Sequence, residues 1–170
     1  DVAIPRGGRG LIERVVSEAR MPVIKHFDGI CHIYIDAAAD LEMALQIVVN
    51  SKCQRMGVCN ACESLLVHES LADTWLPRIA EQFAQRGVEM RGDPTTCRLI
   101  PKAVAASPQD WGTEYLGPTI SCRLVPDIDT AIAHIERYGS GHTDAIVTGN
   151  LAAAQQFLAQ VDSSAVVVNA

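Results

Sequence analysis

No run of apolar residues in this 170-residue sequence is long enough to span a bilayer. The opening Asp1-Val2-Ala3-Ile4-Pro5 lacks a basic stretch followed by an apolar one, so no signal peptide is read there. Clusters of Lys and Arg are missing as well, and a net charge of −6 argues against a nucleic-acid partner. There is no internal repeat, low-complexity segment or charge block. An initiator Met is also lacking, and residues 164–170 read as a strand with nothing after it, so both ends are expected to be cuts in a longer chain. What is present is 48% apolar residues, which excludes a disordered chain and suffices for one domain with a core.

Six Cys occur, at positions 31, 53, 59, 62, 97 and 122. In a small secreted domain an even count suggests disulfides. Here the chain is larger, and Cys31 and Cys122 sit in apolar stretches where a thiol serves as a small hydrophobe. Free thiols in a reducing cytoplasm are expected.

Short apolar runs alternate with helical periodicity. Val2–Ile4 is a short run, and residues 9–20 suit a helix. Strands are expected at 31–35, 65–67, 88–90, 120–125, 145–147 and 165–168. Leu41, Leu45 and Val48 recur at helical spacing. Ser70, with Asp73 three residues on, reads as the cap of a helix whose stripe is Leu71, Trp75, Ile79 and Phe83, closed by Gly87. Residues 92–117, rich in Pro and Gly, read as mostly loop with one short helix. Asp127 caps a helix carrying Ile128, Ile132 and Ile135, closed by Gly139. Leu151, Ala154, Leu158 and Val161 line the last helix. The alternation gives an α/β class with a largely parallel sheet flanked by helices, and one boundary falls near Met21-Pro22.

Three segments could carry chemistry. Met56-Gly57-Val58-Cys59-Asn60-Ala61-Cys62 lies between a helix and a strand, where loops often hold functional groups, and Gly57 allows a tight turn before Cys59. A catalytic thiol must be accessible and partly ionised. On spacing alone a buried structural thiol is the commonest reading, and a catalytic thiol, a redox pair and half of a metal site remain open; no second Cys pair stands at metal spacing. Ile4-Pro5-Arg6-Gly7-Gly8-Arg9-Gly10 runs from strand to helix, where backbone N–H groups can hold a phosphate, although a plain turn reads equally and G-x-G-x-x-G is not matched. Glu114-Tyr115-Leu116-Gly117-Pro118 is by itself a turn. His32, in an apolar strand, reads as a core group.

Taken in order, these pieces resemble the gamma-glutamyl phosphate reductases. Ile24-Lys25-His26-Phe27-Asp28-Gly29-Ile30-Cys31-His32-Ile33-Tyr34-Ile35-Asp36 is similar to that family's stretch before its active-site helix. Val48 to Arg55 followed by Gly57 to His68 resembles its nucleophile segment. Ala131-Ile132-Ala133-His134-Ile135, Tyr138-Gly139-Ser140-Gly141-His142-Thr143 and Val161-Asp162-Ser163-Ser164-Ala165 look like its later signatures. Cys53, Met56 and Gly117-Pro118 depart from it, the last toward the broader aldehyde dehydrogenase superfamily.

The resemblance implies an aldehyde-dehydrogenase fold in which residues 1–21 end a dinucleotide-binding domain and 22–170 form a catalytic domain truncated at its carboxyl-terminal end. Cys59 falls at the nucleophile, Gly7 and Gly8 near the cofactor pyrophosphate, and Glu114 at a Glu that holds the nicotinamide ribose; no metal is implied. The implied cofactor is NADPH, the substrate gamma-glutamyl phosphate and the full-length assembly a homo-oligomer. Hydrolytic aldehyde dehydrogenases place a general-base Glu a little over thirty residues before the Cys. Thirty-three residues before Cys59 this chain has His26, beside Lys25, which favours reduction of an acyl phosphate over oxidation of an aldehyde. An inactive fragment, a hydrolytic dehydrogenase and a Cys59–Cys62 thiol switch are the alternatives.

Overall fold

The computed structural model of the chain describes residues 1–25 and 28–170. Its elements, in chain order, are α1 (Arg9–Glu18), β1 (Cys31–Ile35), α2 (Leu41–Cys53), β2 (Cys62–His68), α3 (Leu76–Gln85), β3 (Glu89–Gly92), α4 (Pro94–Leu99), β4 (Val104–Ala105), β5 (Thr119–Val125), α5 (Ile128–Tyr138), β6 (Thr143–Val147), α6 (Leu151–Gln160) and β7 (Ala165–Val168). The strands form one sheet in the order β4-β3-β5-β2-β1-β6-β7, and every pairing is parallel. The α/β expectation holds.

Central strands of such a sheet are covered on both faces and read as continuous apolar runs. All five residues of β1 are buried, and its side chains alternate between two cores. Ile33 and Ile35 join Leu65, Val67, Trp75, Leu76, Ile79 and Phe83 on the α2–α3 side. Tyr34 joins Leu66, Ile146, Ile132 and Phe157 on the α5–α6 side.

The pairing of β1 with β2 carries one irregularity. Cys31 pairs with Cys62 but His32 pairs with Ser64, which makes Glu63 an extra residue. Such a bulge re-aims side chains. It also resets the alternation, so that Cys62 and Leu65 share one core although they are three positions apart.

Three helix readings are corrected. Helix α3 starts at Leu76, not near Ser70, because Pro77 favours a first turn, where its missing N–H is no loss. Residues Glu69–Leu71 form a separate 3₁₀ turn in which the His68 ring accepts from Ser70 N. In α2 the buried stripe is Ala44, Val48 and Lys52, rotated from the Leu41–Leu45–Val48 expectation. In α6 it is Ala153, Ala154 and Phe157, continued by Val161, and Leu151 and Leu158 are 72% and 50% exposed. In both helices the larger apolar residues misplaced the stripe by about one position. The loop reading of 92–117 missed the edge strand β4, only two residues long.

At the amino end, the short run contributes one bridge, Ala3 to Val23. Ala3 N donates to Pro22 O and Ile24 N donates to Ala3 O, so residues 22–24 lie with the amino-terminal segment.

Candidate active site

Parallel α/β sheets commonly bind ligands beyond the carboxyl ends of their strands. This chain gathers its candidate residues at the opposite edge. The segments leading into β1 (28–30), β2 (54–61), β5 (113–118) and β6 (139–142) meet at the amino ends of those strands.

Cys59 is exposed within the 54–61 loop. Its N–H has no acceptor among the described residues. Residue 29 passes directly against it: a Cβ on Gly29 would lie 1.9 Å from the Cys59 carbonyl oxygen and 2.8 Å from its Cα. Only glycine permits that approach. The glycine demanded here is therefore Gly29 rather than Gly57, whose Cβ would meet nothing closer than Leu116 O at 3.8 Å. On its other side Gly29 N donates to Glu114 Oε1 at 2.8 Å. Cys59 and Glu114, distant in sequence, thus flank one glycine. Cys31 completes the contact by donating its S–H to Cys59 O at 3.2 Å. Burial, reinforced by the charge of Asp144, pushes the Cys31 thiol up to about 12, which keeps it a protonated donor.

The loop that carries Glu114 is held by charges. Leu116 adopts φ 51°, a left-handed conformation costly for a branched side chain, and its N–H donates to Glu63 Oε1 at 3.1 Å. The other Glu63 oxygen accepts from Lys52 Nζ at 2.6 Å, with both side chains fully buried. Burial raises the Glu63 carboxyl above its ordinary range, opposed by the Lys52 ammonium. Farther along, Tyr115 Oη donates to Asp110 Oδ1 at 2.8 Å, and Arg91 Nη1 donates to the same oxygen at 2.8 Å. Burial alone would raise Asp110, but hydrogen bonds from Ser107, Arg91 and Tyr115 hold it well below the usual carboxylate range.

Residues 139–142 form a third wall. Ser140 Oγ accepts from Ile30 N at 2.9 Å, and His142 Nδ1 lies 3.8 Å from Cys31 Sγ. A cavity of about 220 Å³ lies behind the Cys59 loop, lined by Asn50, Ser51, Arg55 and Asn60 among others but not by Cys59.

Other sequence candidates lie apart. Cys62 is 1% exposed, donates to Ser64 O, and is pushed well above its ordinary pKa by burial. That environment suits a packing thiol. His32 is buried with its Nδ1 3.1 Å from Asp144 Oδ1, whose partner oxygen accepts from Ser163. Gly8 caps α1 without a side-chain hydrogen bond, and its carbonyl accepts from Leu11 N and Ile12 N. Gly7 sits at φ 156°, where a Cβ would strike Leu11. Among the described residues, no hydrogen bond joins Gly7 or Gly8 to the Cys59 loop. His26 lies outside the described residues. No group of three or more His, Cys, Asp or Glu among the described residues could hold a metal ion, and no helix among them is long and apolar enough to cross a membrane.

Residues 7–99, more than half of the chain, match the aldehyde dehydrogenase family. The chain belongs to that family. Over its whole length it is 60% identical to a gamma-glutamyl phosphate reductase of Rhodopirellula baltica, covering 39% of that protein. The solved gamma-glutamyl phosphate reductase of Thermotoga maritima superposes with a TM-score of 0.96 at 45% identity, over 99% of this chain and 41% of that one. A glyceraldehyde-3-phosphate dehydrogenase of Bacillus halodurans, solved with NADP, shares the aldehyde dehydrogenase fold with a TM-score of 0.80 at 20% identity, over 100% of this chain and 44% of that one. The chain spans about two fifths of the length of these relatives.

Sequence reasoning named Cys59 and Glu114 but missed Gly29, Cys31, Lys52, Glu63 and Ser140. All five stood inside quoted family segments. A Lys in the stripe of an apolar helix was the one local signal available.

Proposed function

We propose that the protein to which this chain belongs reduces gamma-glutamyl phosphate to glutamate 5-semialdehyde through a thioester on Cys59, a step of proline synthesis. The observation that carries the reading is the exposed Cys59, whose N–H has no acceptor among the described residues, set against Gly29 and thereby beside Glu114. The resemblance to gamma-glutamyl phosphate reductases supports the substrate. So does position 26, where His replaces the carboxylate that would activate water.

The Cys59 thiolate attacks the acyl carbon; its sulfur–carbon bond forms as the carbon–oxygen bond to phosphate breaks, and phosphate leaves. The Cys59 N–H is the donor read to receive the developing oxyanion. A reduced nicotinamide, when bound, supplies the hydride that brings the thioester to the aldehyde level. As the aldehyde carbonyl forms, Cys59 departs and is regenerated.

The residues present fit such a cofactor. Glu114 can accept from a ribose hydroxyl beside Cys59. The start of α1, with no side-chain cap and open space at Gly8, offers free N–H groups to a pyrophosphate. We assign the cofactor as NADPH, in keeping with the NADP-bound Bacillus halodurans relative. Residues 1–21 are read as the end of a dinucleotide-binding domain and 22–170 as most of the catalytic domain of a cytoplasmic homo-oligomer.

Cys59→Ser in the full-length protein tests the assignment. Turnover is expected to fall more than about a thousandfold, because a hydroxyl is a far weaker nucleophile at neutral pH. Normal turnover would refute it.

A further inference from the structure

Lys52 and Glu63 bracket the nucleophile loop. Lys52 is in the last turn of α2, seven residues before Cys59, and Glu63 lies four residues after it, at the second position of β2. Their 2.6 Å contact therefore closes the loop across its base. Two features show that the fold makes room for it. Lys52 occupies the core-facing stripe of α2 after Ala44 and Val48, where an apolar side chain would ordinarily pack. Glu63 is the residue inserted by the β1–β2 bulge.

Net stability does not account for such a pair, since desolvating two charges offsets much of their attraction and a well-packed apolar pair often serves as well. What an apolar pair lacks is direction. Glu63 uses both oxygens, one on Lys52 and one on the N–H of Leu116. From Leu116 the chain is two residues from Glu114, which binds Gly29 N, and Gly29 lies against Cys59. The contacts form a closed circuit from one side of the nucleophile loop, through the Glu114 loop, back to the nucleophile.

We propose that the buried Lys52–Glu63 pair is a positioning device that fixes the Cys59 loop and the Glu114 loop in a single register, so that nucleophile and cofactor carboxylate face the same reacting carbon. The proposal rests on the reading of Cys59 as nucleophile. It assigns neither residue a contact with substrate.

The test uses two neutral double variants of the full-length protein, with Cys59→Ser as the reference. Lys52→Met/Glu63→Leu removes the circuit and keeps the bulk. Lys52→Met/Glu63→Gln restores an acceptor for Leu116 N. The Leu variant is expected to keep its melting temperature within a few degrees and lose about a hundredfold in kcat, the scale of a small misplacement at a reacting centre. The Gln variant should recover at least about tenfold of that loss, and the rate of Cys59 alkylation by iodoacetamide, read by peptide mass spectrometry, should return toward wild type with it. Wild-type kcat in the Leu variant would overturn the proposal. So would a Gln variant no better than Leu, with activity falling only in step with melting temperature. If the Leu variant does not fold, Lys52→Met/Glu63→Met, which equally lacks an acceptor for Leu116 N, takes its place, and wild-type kcat there overturns the proposal. An active Cys59→Ser would instead defeat the functional reading, whatever the pair does.

Discussion

The two edges of the sheet are held by different means. At the carboxyl edge the helices start from local caps. Asp40, Asp93, Asp127 and Asn150 each cap the helix that follows, accepting backbone N–H groups two or three residues on. Longer links are added to them: Asp36 accepts from Thr148 Oγ1, Asp93 also accepts from Leu124 N, and Asn169 accepts from Thr148 N. At the amino edge the contacts span the chain: Cys31 to Cys59, Glu63 to Leu116, Gly29 to Glu114 and Ile30 to Ser140. The backbone there takes a bulge at Glu63, a left-handed Leu116 and a glycine pressed on Cys59, whereas the carboxyl edge has a left-handed Asn169 and Gly149 close against Ala38. One edge seats its helices on local caps and ties neighbouring strand ends together. The other uses that fold to bring distant loops to one thiol.

If the contrast is real, substitutions at the two edges should separate activity from stability. The largest effect is expected at Gly29. Gly29→Ala forces a Cβ into the Cys59 carbonyl, and kcat of the full-length protein should drop about a hundredfold, with an overpacking cost of about 1–3 kcal/mol read by denaturant titration. Unchanged kcat would mean that the 28–30 segment does not set the position of Cys59.

Cys31 should show a smaller effect. Cys31→Ala removes one hydrogen bond to the Cys59 carbonyl, worth about 1 kcal/mol, so kcat should fall severalfold, and Cys31→Ser should restore most of it. Because the folded Cys31 thiol titrates near 12, it stays protonated at pH 8, below both its folded and its ordinary value. Iodoacetamide at that pH should therefore label Cys59 and spare Cys31; peptide mapping reads the two sites directly.

The smallest catalytic effect is expected at the carboxyl edge. Asp127→Ala removes the cap of α5, where the carboxylate accepts from Thr130 N at 2.8 Å. It should lower the melting temperature slightly and leave kcat unchanged. A matching loss of kcat would erase the distinction between the edges.

The same contrast explains what was legible in the sequence. The Asp127 cap, the Gly87 turn and the strands β1, β5 and β7 were read correctly because their signals lie within a few residues of the structure they make. Cys59 was one of several thiols until a family resemblance singled it out. The roles of Gly29 and Glu63 were invisible, since each depends on a partner dozens of residues away. Lys52 was passed over because the apolar stripe of α2 was drawn through the larger Leu41 and Leu45, and the buried stripe runs one position aside. The α6 face failed for the same reason: Phe157 and two Ala, rather than Leu151 and Leu158, meet the sheet.

The central claim is that Cys59 exchanges its acyl group with phosphate rather than with water. The most direct measurement is the reverse reaction of the full-length protein, supplied with glutamate 5-semialdehyde and NADP, with and without inorganic phosphate, followed by absorbance of the reduced cofactor. The account predicts reduction of NADP only when phosphate is present. Equal rates without phosphate would contradict it, because water would then resolve the thioester and the protein would be a hydrolytic aldehyde dehydrogenase.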